Sequence, residues 1–507
     1  LSNLVTLPVL VPLLTAVMLM PLLGRGRPEQ WVSLLSGVLL LAVAGTLTVL
    51  TAGGSILVVT LGGWVPGTGV VWVVDALSAV MLSLTAITSL ATLAYARGGL
   101  RTDQEAKYFY LLHQFVLTGV NGSFVTGDFF NLFVFFEIML VASFVLVALG
   151  GRSEQLNQIF PYVLINLVAS VLLLAAVGGI YGTLGTVNMA EMAIRVGGHG
   201  TPAAFWASAA LLLTVFAIKA GLVPVFFWLP DAYPSASIPV SAFFAGLLTK
   251  VGVYALFRTV PLLSGPNSSG LHTILLFIAA ATMLVGVLGA LGRGTIRAIL
   301  SFHIISQVGY MVFGLALYTG LSVAAGIFYV IHHIIVKTAL FLAGGIAERL
   351  GGNGALGTIH GVARTHPWVG VAFFIPAMAL AGLPPFSGFW GKLLLVIAGF
   401  QAGAWATTTI AVVVSFLTLA SMLKIWTRVF WGEPSPEEVP VVPGYAGMLT
   451  AALGLSALSV GVGLGVGPLF GFTERTAEQL LRVEPYVQAV LGGAATHVIL
   501  IDGAPER

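Results

Sequence analysis

The 507-residue chain contains no cysteine, which excludes thiolate metal sites, thiol redox chemistry and disulfides. Charge is nearly as scarce. Asp, Glu, Lys and Arg make up 8% of residues, where a soluble domain carries roughly 25%. Between the apolar runs no polar stretch is long enough to fold as a soluble catalytic domain, so an enzyme is not expected. The net charge of +3 is spread over short connecting segments rather than gathered in a patch, which excludes a nucleic-acid footprint. The first apolar run lacks a basic leader and ends at Gly24-Arg25-Gly26-Arg27, so no cleavable signal is expected. No cofactor or metal site is expected either.

What the chain has in abundance is apolar sequence. Hydrophobic residues form 58% of it, the mean hydropathy is +1.04, and its 62 glycines suit close helix packing in lipid. A span needs about 20 apolar residues. That rule predicts an all-α polytopic membrane protein with about fourteen helices, over 4–23, 31–52, 70–96, 107–126, 128–150, 156–182, 203–227, 236–262, 269–292, 296–319, 321–349, 367–402, 405–430 and 443–471. The remainder, 473–507, reads as a short amphipathic segment capped by Thr473 and followed by a tail.

Against this background five charges stand out. Glu137, Lys219, Lys250, Lys337 and Lys392 each interrupt a long apolar run. A charge at the bilayer centre costs at least about 2.5 kcal/mol, so such residues mark a conduction path by default. At about 1.5 Å per residue across a core of about 30 Å, Glu137, Lys219, Lys250 and Lys337 fall within a few residues of the midplane. They form a row in the membrane plane rather than a file along its normal.

Two lysines sit beside helix breakers. Lys219 precedes Gly221 and Pro224, and Lys392 follows Pro384-Pro385 and Gly388. Proline removes a backbone donor and interrupts the helix, and broken helices at matching positions of two halves point to inverted repeats. Predicted helices 4–8 and 9–13 are read as those repeats, with 7 and 12 broken. The corresponding divisions are 1–106 for helices 1–3, 107–262 and 263–432 for the repeats, and 433–507 for the last helix and tail.

Arg25, Arg27, Arg97, Arg101, Lys107, Arg152, Arg293, Arg297, Arg349, Arg364, Lys424 and Arg428 follow odd-numbered segments, whereas only Arg195 and Arg258 follow even-numbered ones, with three more in the C-terminal tail. The positive-inside rule then predicts a multi-pass protein of the cell membrane with both termini on the outer side.

The runs GVNGSFVTGDFFNLFVFFEIMLVAS, FWLPDAYPSASIPVSAFFAGLLTKVGVY, SFHIISQVGYM and LPPFSGFWGK resemble the proton-translocating antiporter-type family, which includes the large membrane subunits of respiratory complex I and of Mrp cation/proton antiporters. Within it the chain most resembles the D subunits of Mrp-type Na⁺/H⁺ antiporters, on the NGSFVTGDFFNLFVFFE run, His303 in SFHIISQ and the tail LLRVEPYVQAVLG. The sequence is expected to lack the long C-terminal extension of the largest complex I relative, and is too short for the Mrp A subunit.

The resemblance implies a gate of Glu137 and Lys219, a relay at Lys250, a pair His333 and Lys337 one turn apart, and a terminal Lys392. Relatives often carry a histidine where Tyr329 stands here, and His332 beside His333 points about 100° away. His332 and His303 are therefore read equally as relay residues or as hydrogen-bonded packing histidines. The implied partners are A-type and small subunits of an antiporter complex, protons, Na⁺ or another monovalent cation through the complex, and lipid. A complex I-like or hydrogenase pump module is the alternative reading, distinguished by its partners; a purely structural scaffold has no need of such charges.

The remaining polar residues have plainer readings. Asp75 and Asp128 each open a helix as caps. Asp231 orders a turn, His113 is structural, and Trp64, Trp228 and Trp431 are interface anchors. A hard cation such as sodium wants several oxygen ligands, and one carboxylate among four lysines does not supply them. The expectation is that this chain carries protons and that sodium crosses elsewhere.

Overall fold

The computed structural model describes residues 2–64, 69–100, 102–151, 153–197, 201–264, 269–358, 360–433 and 442–492. Helices α1 (Leu7–Leu19) and α2 (Arg27–Thr51) lead into a hairpin of β1 (Leu57–Thr60) and β2 (Val71–Val74), then α3 (Ala76–Gly99) and α4 (Asp103–Val125). There follow α5 (Phe129–Ala148), α6 (Ser153–Leu184), short α7 (Met189–Gly197), α8 (Ala203–Ala220), short α9 (Leu229–Ser235) and α10 (Ile238–Leu263). The second half runs through α11 (Ser269–Gly292), α12 (Ile296–Leu317), α13 (Gly320–Leu350), the single turn α14 (Val362–Thr365), α15 (Pro367–Ala381), α16 (Ser387–Gln401) and α17 (Trp405–Ile425). It ends with α18 (Tyr445–Leu464), α19 (Val466–Leu481) and α20 (Val483–Leu491).

Among the described residues, twelve helices are long and apolar enough to cross a membrane. Two of the fourteen predicted segments are not in that set. One is α4, which buries His113, Gln114, Thr118, Asn121 and Ser123 and is polar for a span. The other is 367–402, which divides into α15 and α16. The third predicted segment begins too early, because its β-branched start pairs as β2 and the helix opens only at Ala76, capped by Asp75. Thr473 is not a cap: apolar residues from Val466 onward extend α19 past it, and its hydroxyl bonds the Phe470 carbonyl.

Helices apolar on every side belong in the interior, and two fill that role. The apolar windows of α10 and α13 are 100% buried, whereas α6, α11 and α18 are 39% buried and form the rim. Around α13 pack α10, α12, α15, α16, α18 and α19. Lys250 and Lys337 therefore ride on the two helices with the least access to lipid.

One local frame occurs twice at a constant sequence offset. Gly119 and Gly122 of α4 admit the α5 backbone at Met139 and the Phe135 ring, as Gly286 and Gly289 of α11 admit Ser306 and Phe302 of α12. A Cβ on Gly119 would stand 2.4 Å from the Met139 nitrogen, and one on Gly286 2.3 Å from that of Ser306. The caps Asp128 and Thr295 recur at the same offset, as do the antiparallel bridges Asp128–Asn188 and Thr295–Ala355.

Candidate functional site

Both predicted breaks are present, and both are built alike. Helix α8 ends at left-handed Gly221 (φ 76°), and the amide of Leu222 reaches back to the Ala217 carbonyl at 3.0 Å. Helix α15 ends at Gly382 (φ 90°), with Leu383 bonding Met378 at 3.2 Å. Glycine at this position avoids the Cβ penalty, and the paired reversed bonds satisfy part of the helix end. The other carbonyls there need partners from elsewhere, since an unpaired group costs several kcal/mol in lipid. At the first break Ile218 O, already bonded by the Gly221 amide, also accepts from the Trp228 indole at 3.0 Å. At the second, Lys392 Nζ donates to Leu380 O at 3.0 Å and Ala381 O at 3.1 Å. Trp228 is thus a buried cap, 2% exposed, and not an interface anchor, whereas Trp64 and Trp431 are exposed.

The four lysines are at most 6% exposed, and the oxygens they bond are neutral. Lys219 Nζ, in the last turn of α8, donates to the carbonyl of Asn166 at 3.4 Å and to its side-chain oxygen at 3.3 Å. Lys250 donates to Ala245 O at 2.6 Å, and Lys337 to Leu300 O at 3.0 Å. Lys392 lies at the C-terminus of α15, where the helix dipole favours a cation, with its ammonium 5.0 Å from the Tyr310 ring centre. Gly252 holds α8 close to this row, because a Cβ there would meet the Ala220 nitrogen at 2.4 Å.

Glu137 is near enough for its charge to act on Lys219, but the two form no ion pair among the described residues. Its Oε1 has no hydrogen-bond partner. The carboxylate borders the outer face of α5, one turn from the exposed Val134 and Val141. Asn166 of α6 therefore holds Lys219 in the arrangement seen. Nothing in the sequence singles it out, since it carries no charge and follows no spacing rule.

His333 lies within electrostatic reach of Lys250, Lys337, His332 and His303. Neither of its ring nitrogens has a hydrogen-bond partner. His332 faces elsewhere, as its position beside His333 predicts: its Nδ1 meets Ser387 Oγ at 2.7 Å, and that hydroxyl meets Ser459 at 3.2 Å. His303 Nε2 meets Ser421 Oγ at 2.8 Å. Around Lys392, Tyr310 bonds Ser415 at 2.8 Å and packs on Tyr329, whose hydroxyl donates to Gln307. A cavity of about 210 Å³, lined by Lys392, Gly382, Ser415 and Phe416, reaches the outer face between α16 and α17.

Other residues fall as follows. Asp75 and Asp128 cap their helices, accepting from the amides of Ser78 at 2.9 Å and Asn131 at 2.6 Å. Asp75 also pairs with Arg258 at 2.6 Å, so Arg258 is a buried residue of α10 and not a loop charge. His113 bonds Ser89 at 2.9 Å and packs between Phe109 and Phe243. Asp231 is exposed in α9, 3.5 Å from Arg293. Among the described residues no cluster of three or more His, Asp or Glu could hold a metal ion.

The chain as a whole is similar to known proteins. The chain is 41% identical over 490 residues to the D subunit of the Na⁺/H⁺ antiporter of Alkalihalophilus pseudofirmus, covering 97% of this chain and 99% of the relative. It is 36% identical to the protein of the same name from Bacillus subtilis, over 97% and 99%. Among solved structures it is similar to a chain of the Mrp complex from Dietzia sp. DQ12-45-1b, with TM-score 0.91, 38% identity and coverage of 97% and 100%. A chain of an archaeal membrane-bound sulfane sulfur reductase matches at TM-score 0.90 and 25% identity, over 97% and 100%. Residues 126–418, which hold both breaks, Glu137 and all four lysines, match the family model for the membrane part of these complexes, and the chain belongs to the NADH:quinone oxidoreductase/Mrp antiporter transmembrane family.

Proposed function

We propose that this chain is the proton-translocating subunit of a multisubunit Na⁺(cation)/H⁺ antiporter, a transporter subunit rather than an enzyme. The observation that carries the reading is the set of four buried lysines bonded to neutral oxygens. A lysine fixed by a carboxylate holds its proton, whereas one held by carbonyls can exchange it. Protons entering from the outer side pass the Glu137–Lys219 gate, then Lys250, His333 and Lys337, and leave at Lys392. His303 and His332, each bonded to a serine through one ring nitrogen, flank the row as positioning residues. Sodium, which needs several oxygens, crosses in another subunit or at an interface.

The recurring glycine, cap and bridge frame supports two repeats, read as helices 4–8 and 9–13 of a fourteen-span, inverted arrangement with the divisions 1–106, 107–262, 263–432 and 433–507. Both termini are assigned to the outer side of the cell membrane. Partners are A-type and small antiporter subunits and lipid. The similarity to the sulfane sulfur reductase chain supports a redox-driven pump module as the second reading; the higher identity to antiporter D subunits favours the first. Mass spectrometry of the native complex separates them by the neighbouring subunits. Within the first reading, Glu137→Ala and Lys219→Ala complexes should assemble and lose antiport. Assembled complexes of either variant transporting at the wild-type rate would overturn the gate.

A further inference from the structure

A second polar site lies away from the lysine row, where α5 and α6 meet the link into α7. A cavity of about 420 Å³ opens there, lined by Asp128, Asn188, Phe130, Leu174, Gly178 and Tyr181 among others. Asp128 and Asn188 are 4% and 1% exposed. They oppose each other in an antiparallel bridge flanked by the bonds Phe129 N–H to Val187 O and Met189 N–H to Gly127 O. That is the non-hydrogen-bonded kind of pair, whose side chains share one face at close range.

Each side chain spends one atom on structure. Asp128 Oδ1 accepts from the Asn131 amide, and Asn188 Oδ1 accepts from those of Ala190 and Glu191. The other atoms, Asp128 Oδ2 and Asn188 Nδ2, are buried without a partner. The second copy of the frame shows what the fold itself requires. There Thr295 supplies the cap and Ala355 stands opposite, with the same flanking bonds from Ile296 to Gly354 and from Leu356 to Gly294. A carboxylate facing an amide donor is therefore an addition to the frame and not a need of it.

We propose that this cavity is the outer loading site from which protons reach Lys219. One carboxylate oxygen beside one N–H donor suits a water molecule, which can donate to the first and accept from the second and so hand a proton to the carboxylate; a dehydrated metal cation requires several oxygens. The α6 wall gives the direction of travel. From Tyr181, Gly178 and Leu174 on the exposed side of α6, four-residue steps wind inward to Ser170, whose buried hydroxyl has no partner, and to Asn166, which holds Lys219. Gly178 leaves the mouth of the cavity open on the exposed side of α6, since a Cβ there would meet nothing within 4 Å.

Burial raises the Asp128 carboxyl to about 6, against the pull of the Asn131, Phe130 and Val71 amides. The other titratable groups near it are Tyr181 of α6, Tyr486 of α20 and Glu191 of α7. Glu191 is engaged by Thr186 and Arg195. The closed Asp75–Arg258 pair lies beyond Tyr486.

The inference rests on the proton-conducting reading and is tested in the intact complex in proteoliposomes, with antiport measured against pH on the outer face. Asp128→Asn keeps the capping oxygen and removes only the titration; Gly178→Leu fills the mouth of the cavity and leaves every titratable group in place. Asp128→Asn should shift the half-maximal pH by about one unit toward acid, a tenfold change in proton activity. Gly178→Leu should lower the rate at least tenfold at every pH. Should Asp128→Asn fail to assemble, Gly178→Leu alone carries the test. Wild-type pH profiles for both variants beside an inactive Lys219→Ala would overturn the loading site alone. Wild-type transport by Lys219→Ala as well would instead overturn the proton reading. A change in apparent sodium affinity with an unmoved pH profile would mark a metal-cation site and also refute the proposal.

Discussion

Replacing Asn166 by aspartate tests the gate at its most sensitive point. The side-chain oxygen of Asn166 already accepts from Lys219 Nζ at 3.3 Å, so Asn166→Asp puts a carboxylate where a neutral amide stood, with almost no change of shape. At an effective dielectric of about 20, opposite unit charges at that distance attract by roughly 5 kcal/mol. Desolvating the new carboxylate takes back several kcal/mol. A net gain of even about 1.4 kcal/mol for the charged lysine is a tenfold change in proton release. Antiport by the assembled complex should therefore fall at least tenfold, read as sodium-dependent proton movement in proteoliposomes with subunit content checked on native gels. An assembled Asn166→Asp complex working at the wild-type rate would show that Lys219 does not exchange its proton at this position.

Lys392→Met removes the donor to Leu380 and Ala381 at the end of α15; antiport should be lost while the complex still assembles on native gels. His333→Ala should abolish antiport, whereas His332→Ala, which loses the bond to Ser387 and the packing on Tyr329, should retain at least a tenth of the rate in the same vesicles. Asp75→Ala leaves Arg258 buried without its partner and should cost about 3–5 kcal/mol, read as a lower melting midpoint in detergent. Burial alone would raise the Asp75 carboxyl, but the Arg258 guanidinium outweighs it and holds the group below the ordinary carboxylate range. The pair's stability is therefore fully present above about pH 4 and fades as pH falls through the folded-state value, a dependence the variant should lack. Gly286→Val places a Cβ 2.3 Å from the Ser306 nitrogen and should cost about 1–3 kcal/mol or more, read as a lower melting midpoint.

The charged residues of the row were legible because a lysine in an apolar run has no inexpensive explanation. The breaks were legible because glycine and proline act on the backbone locally. What escaped depends on distant partners. Trp228 carries the same amphipathic ring whether it sits at a lipid interface or caps Ile218. Arg258 near a helix end reads as a loop charge until Asp75, far away in sequence, is seen beside it. Val70 to Val74 reads as the start of a span because a β-branched apolar run fits either period, and only its pairing with β1 decides. Thr473 has the spacing of a cap, but the apolar residues before it keep the helix going. Asn166, Ser387 and Ser421 carry no charge and follow no spacing rule, so their roles emerge only from the packing.

The two breaks also differ in how they answer to occupancy. At Gly221 the buried helix end takes an added bond from an indole, whose N–H does not titrate. At Gly382 it is closed by Lys392, the residue that would receive the arriving proton. An ammonium offers three donors and a positive charge to the carbonyls of Leu380 and Ala381; a neutral amine offers weaker donors and no charge against the helix dipole. On the proposed relay, the first hinge would be indifferent to the passage of charge, while the grip on the second would loosen each time a proton departed. One end of the row is a fixed frame and the other a clasp set by its own cargo.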